Sequence, residues 1–324
     1  MLKPLTFSIL RLLGDGEFHS GETMAQALDI SRANVWYALK DAGQTGIALF
    51  RVRGRGYRLA EPIDWLDANA VMRNLKDKSS LFRLCVLDTV DSTNNWLLRE
   101  SASGAPGGSV VAAEWQRQGR GRLGRIWYSG LGAALTFSLL WRFPQGAGSL
   151  SGLSLASSLA VLRGLARAGA TGLSLKWPND ILRRHQKLAG ILIEIAGDAL
   201  GPTAAVIGIG VNVKLSDAIK AEIDQAACDL ADAGCTTGRS ALLASLLSEL
   251  ADVLQLFSAH GFGPLATEWQ RLHVYHDKNV TLKMPDGVSV AGKIAGAAHD
   301  GSLMLKTNSG MRRFYGGEIS LRRP

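Results

Sequence analysis

Four arginines and three glycines fall within fourteen residues, Glu114-Trp115-Gln116-Arg117-Gln118-Gly119-Arg120-Gly121-Arg122-Leu123-Gly124-Arg125-Ile126-Trp127. Glycine lets a backbone approach a ligand closely and take positive φ. Arginine presents a planar fork of donors that matches carboxylates and phosphates. The stretch therefore predicts a loop that closes over a polyanion such as a nucleotide phosphate, with a solvated basic loop as the alternative reading. No Gly-Lys-Ser/Thr ends it, so it is not a Walker A loop.

Apolar runs flank it, Val110–Ala113 before and Ala133–Trp141 after. A loop between two strands is expected, the second strand being central. Further along, a strand over Leu173–Lys176 runs into Trp177-Pro178-Asn179-Asp180, where Pro178 ends regular pairing and Asn-Asp makes a tight turn. A turn at Arg183–Gln186 precedes a strand from Lys187 to Ile195. The strand Val206–Val213 carries alternating glycines, which implies something packed close to its backbone. Upstream, Asp91-Ser92-Thr93-Asn94-Asn95 lies between a strand at Leu84–Leu87 and a helix from about Trp96. Its short polar side chains are good N-caps, and at a strand's end they are also placed to hydrogen-bond a ligand.

Around these motifs the pattern is α/β. A linking helix is expected from Ile63 to about Leu75, a buried helix from Ser149 to Ala168, and helices at Ser240–Ala259 and Pro264–His273. Residues 214–238 read as a helix plus loop. From about residue 274, short strands separated by Pro285-Asp286-Gly287, His299-Asp300-Gly301 and Asn308-Ser309-Gly310 predict a small SH3-like β-barrel.

Residues before about 62 form a separate pattern. Leu5, Ile9, Leu12 and Leu13 share a helical face. A short helix follows at Glu22–Leu28, and Ser31 caps another that runs to about Ala42, with Gly43 and Gly46 at its end. Ile47–Leu59 then reads as a hairpin with Gly54-Arg55-Gly56 at its tip. This is the layout of a winged helix-turn-helix. Arg32, Asn34, Tyr37 and Lys40 are assigned to the major groove of DNA, Arg53 and Arg55 of the wing to phosphates or the minor groove, and Ser31 at the helix start is counted with the DNA-binding residues. Trp36 and Leu39 are expected to pack inward. A winged helix used only for packing or dimerisation is the alternative.

Composition agrees with an ordinary soluble globular protein: 324 residues, 47% apolar and 20% charged. The formal charge, 36 − 28 = +8, suits nucleic acid or anionic ligands without choosing between them. Three scattered cysteines, Cys85, Cys228 and Cys235, lack zinc spacing and a disulfide framework, which implies a reducing cytoplasm. Arg11 interrupts the N-terminal apolar stretch, so no signal peptide is expected. No apolar run long enough for a membrane span is expected, and so no membrane partner.

The Gly-Arg-Gly-Arg-x-Gly-Arg loop, the Lys-Trp-Pro-Asn-Asp segment and Lys187-Leu188-Ala189-Gly190-Ile191-Leu192, in that order, resemble the biotin–protein ligases. With the N-terminal module, the chain resembles the bifunctional kind that also represses biotin-synthesis genes. The resemblance implies an α/β (α+β) catalytic core of the biotin/lipoate ligase type at residues 63–273, between a winged helix-turn-helix at 1–62 and an SH3-like β-barrel at 274–324. It implies biotin, ATP and Mg²⁺ as reactants and cofactor. A biotin carboxyl carrier protein and operator DNA would be partners, with a ligand-induced homodimer.

By this resemblance Ser92, Thr93, Asn94, Gln116, Gly119, Arg120, Gly121, Arg122, Lys187 and Gly190 bind biotin. Arg122, Arg125, Trp127, Lys176, Asn179 and Asn212 bind ATP, and Asp180 holds Mg²⁺. Lys187, Arg120 and Arg122 are the catalytic residues, both arginines being expected over the acyl-phosphate. Leu123 stands where some members carry another arginine. A lipoate–protein ligase, a catalytically inactive biotin-sensing repressor and a ligase without regulation are the competing readings.

Overall fold

The computed structural model describes residues 2–44, 47–197, 202–284, 288–315 and 320–322. It divides into two compact units, Met1–Trp65 and Leu66–Pro324. The glycine at 46 and the turn at 285–287, both expected to punctuate elements, lie outside the described residues.

The first unit runs α1 (Pro4–Leu12), α2 (Gly21–Ala27), α3 (Arg32–Gln44), β1 (Leu49–Val52) and β2 (Gly56–Leu59). Phe7, Ile9, Leu10 and Leu13 are fully buried, and Val35, Ala38, Leu39 and Ala42 supply the inward face of α3. Ser20 caps α2 through Thr23 N. The strands pair antiparallel from Leu49↔Leu59 to Val52↔Gly56, leaving residues 53–55 as the turn. This is the winged helix-turn-helix. Trp36 departs from expectation: it is 39% exposed, edge-on to Tyr37 at 4.9 Å and beneath the Lys40 ammonium at 5.1 Å. The helical period places residue 36 one step off the face set by 35, 38, 39 and 42, so its ring rests against Tyr37 and Lys40 instead of the core.

The second unit begins with α4 (Ala68–Leu75), β3 (Arg83–Val90), α5 (Thr93–Ala102), β4 (Ser109–Gln116) and β5 (Ala134–Phe143). It continues through α6 (Leu153–Arg167), β6 (Leu173–Lys176), β7 (Asp180–Arg183), β8 (Gln186–Gly197), β9 (Thr203–Asn212) and α7 (Asp217–Glu222). Then come α8 (Arg239–His260), α9 (Ala266–Leu272), β10 (Asn279–Lys283), β11 (Ser289–Ala297), β12 (Leu303–Thr307), β13 (Gly310–Phe314) and β14 (Ser320–Arg322). Among the described residues the large sheet has the order β3-β4-β5-β9-β8-β7-β6. Only β3 and β4 run parallel there, and β5 and β9 pair over ten rungs from Ala134↔Asn212 to Phe143↔Thr203.

Alternation along β4 and β5 splits the core. Val110, Ala112, Leu135, Phe137 and Leu139 join the face covered by α6 and α8, whereas Val111 and Leu140 pack with Leu97 of α5. The second, C-terminal sheet has the order β13-β12-β11-β10-β14, antiparallel throughout, and is of the SH3-like type. Its Val280, Leu282, Ile294, Leu305 and Phe314 are continuous with the same core.

The linking helix is shorter than the apolar period suggests. It starts at Ala68, because the Asp67 carboxylate accepts from the Asn69 and Ala70 amides and fixes the N-cap there. The segment from Asp180 to Arg183 is a strand in its own right, joined to β8 by Arg184 and His185 at φ 47° and 69°, the conformation a two-residue hairpin needs. Helix α8, 22 residues long, is long and apolar enough to cross a membrane by length and composition, contrary to the expectation that no run was. Leu242, Leu243, Leu246, Leu247, Leu250 and Leu254 bury it in the core of this unit, which accounts for its apolar character.

Candidate functional site

A cleft of about 330 Å³ opens over β8 and β9. It is walled by the start of α5, the arginine loop, the turn between β6 and β7, and the segment after α7. Of the sequence-predicted ligand residues, Ser92, Thr93, Asn94, Gln116, Arg120, Gly121, Arg122, Arg125, Trp127, Lys176, Asn179, Asp180, Lys187, Gly190 and Asn212 all line it. Gly119 does not. Its carbonyl accepts from Trp127 N at 2.9 Å, and a Cβ there would lie 2.3 Å from Trp127 O, so it closes the loop rather than facing the cleft.

One end of the cleft is a buried polar network. Thr93 donates to Gln116 Oε1 through both its amide (2.8 Å) and its hydroxyl (3.0 Å). Ser138 Oγ lies 2.6 Å from Asn94 Oδ1 and 2.7 Å from Thr93 Oγ1. The Asn94 amide donates to Glu194 Oε2 at 2.8 Å and to Leu192 O at 3.2 Å. Ser92 occupies the N-cap position of α5, yet its side chain makes no cap bond. The capping explanation for this tripeptide therefore fails at its first residue. Arg99 and Asn95 instead anchor the helix to Asp91, and that arginine pairing holds the Asp91 carboxyl well below the usual range.

The other end is charged. Lys187 Nζ pairs with Asp180 Oδ1 at 2.8 Å, both side chains mostly buried. Its backbone is tied independently: Lys187 N donates to Ala226 O, and Lys187 O accepts from Cys228 N and from Asn212 Nδ2. Arg122 donates to Asn179 Oδ1 at 3.2 Å, and Asn179 Nδ2 donates to Ile191 O at 2.7 Å. Burial lowers the Arg122 pKa, with nearby Asp180 opposing the shift. A guanidinium remains charged all the same.

Trp127 bridges the two ends. Its ring lies against Gly210 and Gly190 and 5.9 Å from Lys187 Nζ. A Cβ on Gly210 would come within 2.3 Å of that ring, and one on Gly208 within 2.1 Å of Asn94 Oδ1. The alternating glycines of β9 are thus occupied by two side chains of the site.

The turn bearing Asn179 is held from behind. Trp177 is 2% exposed, its indole donates to Gly301 O at 3.1 Å, and its amide donates to His273 Nε2 at 3.2 Å. Burial, with the charges of His276 and Lys176 adding, pushes His273 down to about 3, so the ring stays neutral and can accept. The C-terminal sheet therefore buttresses the turn through its 298–301 corner.

One expectation changes. Arg120 does not stand with Arg122 at the charged end: its NH2 donates to both Glu194 oxygens at 2.9 and 2.7 Å, beside Asn94. A carboxylate within reach outweighs the loop's sequence proximity to Arg122. Leu123, in the position of a further family arginine, is 69% exposed and left-handed at φ 56°. Sequence reasoning also missed Ser138, whose partners lie 44 and 45 residues away, Glu194, whose partners lie 74 and 100 residues away, and Asp224 and Gln225 of the cleft wall. Among the described residues, no three His, Cys, Asp or Glu side chains form a metal-holding cluster.

In the first unit Arg32, Asn34, Tyr37, Arg53 and Arg55 are all exposed. Ser31 Oγ accepts from Asn34 N at 3.2 Å, as a cap. Arg55 sits over the Phe18 ring at 4.3 Å, a cation–π contact at the wing.

A cleft with a neutral hydrogen-bonding end, a cationic end and a Gly-Arg lid, on a chain that also carries a winged helix, defines a ligand-activating enzyme joined to a DNA-binding module. Residues 86–212 match the biotin/lipoate A/B protein ligase family, 275–322 the biotin protein ligase C-terminal domain and 6–58 an HTH domain. The bifunctional ligase/repressor BirA of Salmonella typhimurium is 37% identical over 98% of this chain and 97% of its own. That of Escherichia coli is 36% identical over 97% and 96%. The biotin protein ligase of Aquifex aeolicus, solved with biotin and ATP, is 30% identical with a TM-score of 0.66, covering 75% of this chain and 99% of that one. The chain belongs to the bifunctional ligase/repressor family of biotin protein ligases.

Proposed function

We propose that the protein condenses biotin with ATP to biotinyl-5′-AMP, transfers biotin to a lysine of a biotin carboxyl carrier protein, and represses biotin-synthesis genes when the adenylate fills the cleft. The observation that carries this reading is one cleft with Ser92, Thr93, Asn94 and Gln116 at its polar end and Lys187, Arg122, Asn179 and Asp180 at its charged end. The BirA relatives, named as ligase and repressor, and the biotin and ATP bound by the Aquifex enzyme support it.

In the first step a biotin carboxylate oxygen attacks the α-phosphorus, and the bond to the pyrophosphate leaving group breaks. Negative charge develops on the phosphorus oxygens, where Lys187 and Arg122 supply preorganised positive charge. In the second step a carrier lysine amine attacks the acyl carbon and AMP leaves. Asn212 keeps Lys187 in place through its carbonyl. Lys176 and Arg125 serve the triphosphate, and Trp127 packs on the nucleotide. Asp180 and Asn179 are adjacent oxygen donors, which fits Mg²⁺ held by one carboxylate plus phosphates. When bound there, the ion neutralises pyrophosphate charge.

The test is incubation with ATP-Mg²⁺, a carrier domain, and biotin or lipoate. Biotin-dependent pyrophosphate release and carrier labelling are expected. Release stimulated by lipoate but not by biotin would overturn the substrate. Arg122→Gly is expected to shorten the half-life of the adenylate on the enzyme, because the loop loses its tie to Asn179 and no longer covers a reactive anhydride. An unchanged half-life removes Arg122 from the lid.

For repression, the winged helix is assigned to one half-site and a ligand-induced homodimer to the pair. The three free cysteines support a cytoplasmic setting. Arg53→Ala with Arg55→Ala is expected to flatten the salt slope of operator binding by up to about two units, as two phosphate contacts are lost. An unchanged slope, measured at several salt concentrations, would take both arginines off the backbone.

A further inference from the structure

Glu194 lies seven residues beyond Lys187 on β8, about 20 Å along an extended strand, and so has no part in the chemistry at the charged end. We propose that Glu194 is a positioning residue that sets the hydrogen-bond polarity of the cleft's neutral end and thereby fits it to a cyclic urea. The inference rests on the reading of that end as the biotin head-group pocket.

A carboxylate only accepts, and an amide has one donating and one accepting side. Asn94 Nδ2 meets Glu194 Oε2 at 2.8 Å and Leu192 O at 3.2 Å, so both of its protons are spent on acceptors. Its oxygen must face the other way, where Ser138 Oγ lies at 2.6 Å. Ser138 is fully buried and has one proton to give. That proton goes to Asn94 Oδ1, which has none of its own. With the Ser138 proton committed to Asn94, Ser138 Oγ at 2.7 Å and Gln116 Oε1 at 3.0 Å are alternative acceptors for the one hydroxyl proton of Thr93, whose amide holds Gln116 in either case. The Glu194 carboxylate, with the Leu192 carbonyl as the more distant acceptor, thus orders the Asn94 amide and through it the Ser138 proton. In a buried network such order persists, because reversing one member leaves two acceptors face to face.

The consequence is chemical. Asn94 Oδ1 keeps one lone pair for the cleft, which recognises a ring N–H. With the amide reversed, Asn94 would present N–H to N–H. Gly208 permits the arrangement by leaving room for Asn94 Oδ1, and Arg120 crosses the same end on Glu194.

The test compares Glu194→Leu with the wild-type full chain in steady-state adenylation, using biotin and a biotin methylated on one ureido nitrogen. Loss of the charged acceptor is expected to raise KM for biotin by about tenfold to hundredfold, with kcat and KM for ATP little changed. Discrimination against the N-methyl analogue should collapse alongside it. Glu194→Gln, which restores an acceptor for Asn94, is expected to recover most of the loss. Equal rises in both KM values, or undiminished discrimination in Glu194→Leu, would overturn the proposal. Should Glu194→Leu not fold, Glu194→Met, which also lacks the charged acceptor, takes its place: lost discrimination supports the proposal and undiminished discrimination overturns it. A wild-type chain that binds no biotin removes the pocket assignment and this inference together, whereas wild-type binding with unaltered variants removes the inference alone.

Discussion

Lys187→Ala is expected to slow adenylate formation about a hundredfold in single turnover, equivalent to roughly 3 kcal/mol of transition-state stabilisation. The size follows from position. Lys187 Nζ is held at 2.8 Å from Asp180 in a largely buried setting, where a fixed charge acts more strongly on a developing phosphorane than it would in water. The fold should survive, because the strand is anchored at this point through the backbone: Lys187 N to Ala226 O, Cys228 N to Lys187 O, and Asn212 Nδ2 to Lys187 O. What the truncation leaves behind is Asp180, mostly buried but at the wall of the open cleft, where water can take the place of its ammonium. Melting should therefore fall by only a few degrees, at about 2–4 °C per kcal/mol for a domain of this size. Pairing Lys187→Ala with Asp180→Asn is expected to recover that stability but not the rate. A near-normal single-turnover rate in Lys187→Ala would take this lysine out of the mechanism.

The residues of this site were legible because each sits in a short local motif. Gly and Arg alternate in the loop, Pro178 and Asn179 mark a turn, and Lys187 opens a strand. Strand identities followed from apolar, β-prone runs, as in β4, β5 and β9. What could not be read is which partner each polar group selects across the sheet. Arg120 looks equivalent to Arg122 in sequence, yet Glu194, 74 residues on, turns it to the opposite end of the cleft. Trp36 was misread for a related reason. An aromatic beside an apolar face reads as core, and only the packed helix shows Val35, Ala38 and Leu39 filling that face without it. Helix starts slipped where a cap outweighed the apolar period, as Asp67 does for α4. The C-terminal strands were visible, but not that the Gly301 carbonyl at their corner receives the Trp177 indole and so steadies the turn that bears Asn179.

The Glu114–Arg239 pair gives the largest expected effect on stability. Both side chains are wholly buried, with Arg239 NH1 donating to Glu114 Oε2 at 2.7 Å. The other carboxylate oxygen accepts from Leu66 N at 2.7 Å, so one glutamate joins β4, α8 and the first residue of the second unit. From sequence Glu114 was merely the residue before the arginine loop. Burying two ions costs several kcal/mol, recovered only by their mutual contact and added hydrogen bonds. Glu114→Leu therefore takes the carboxylate away from a fully buried guanidinium and is expected to cost about 3–5 kcal/mol. At about 2–4 °C per kcal/mol the midpoint should drop by roughly 6–20 °C. Glu114→Leu combined with Arg239→Met removes both charges and should regain much of the loss, since a well-packed apolar pair of similar volume often matches a buried ion pair. Function should follow the same order. Gln116, two residues along β4, holds Thr93 by two hydrogen bonds, so loosening the strand displaces the neutral end of the cleft. Biotin affinity is expected to weaken in the single variant and to return toward wild type in the double. A single variant that melts with the wild type would show that this pair is not what anchors β4, and a double variant less stable than the single would show that the charges themselves are what the core requires.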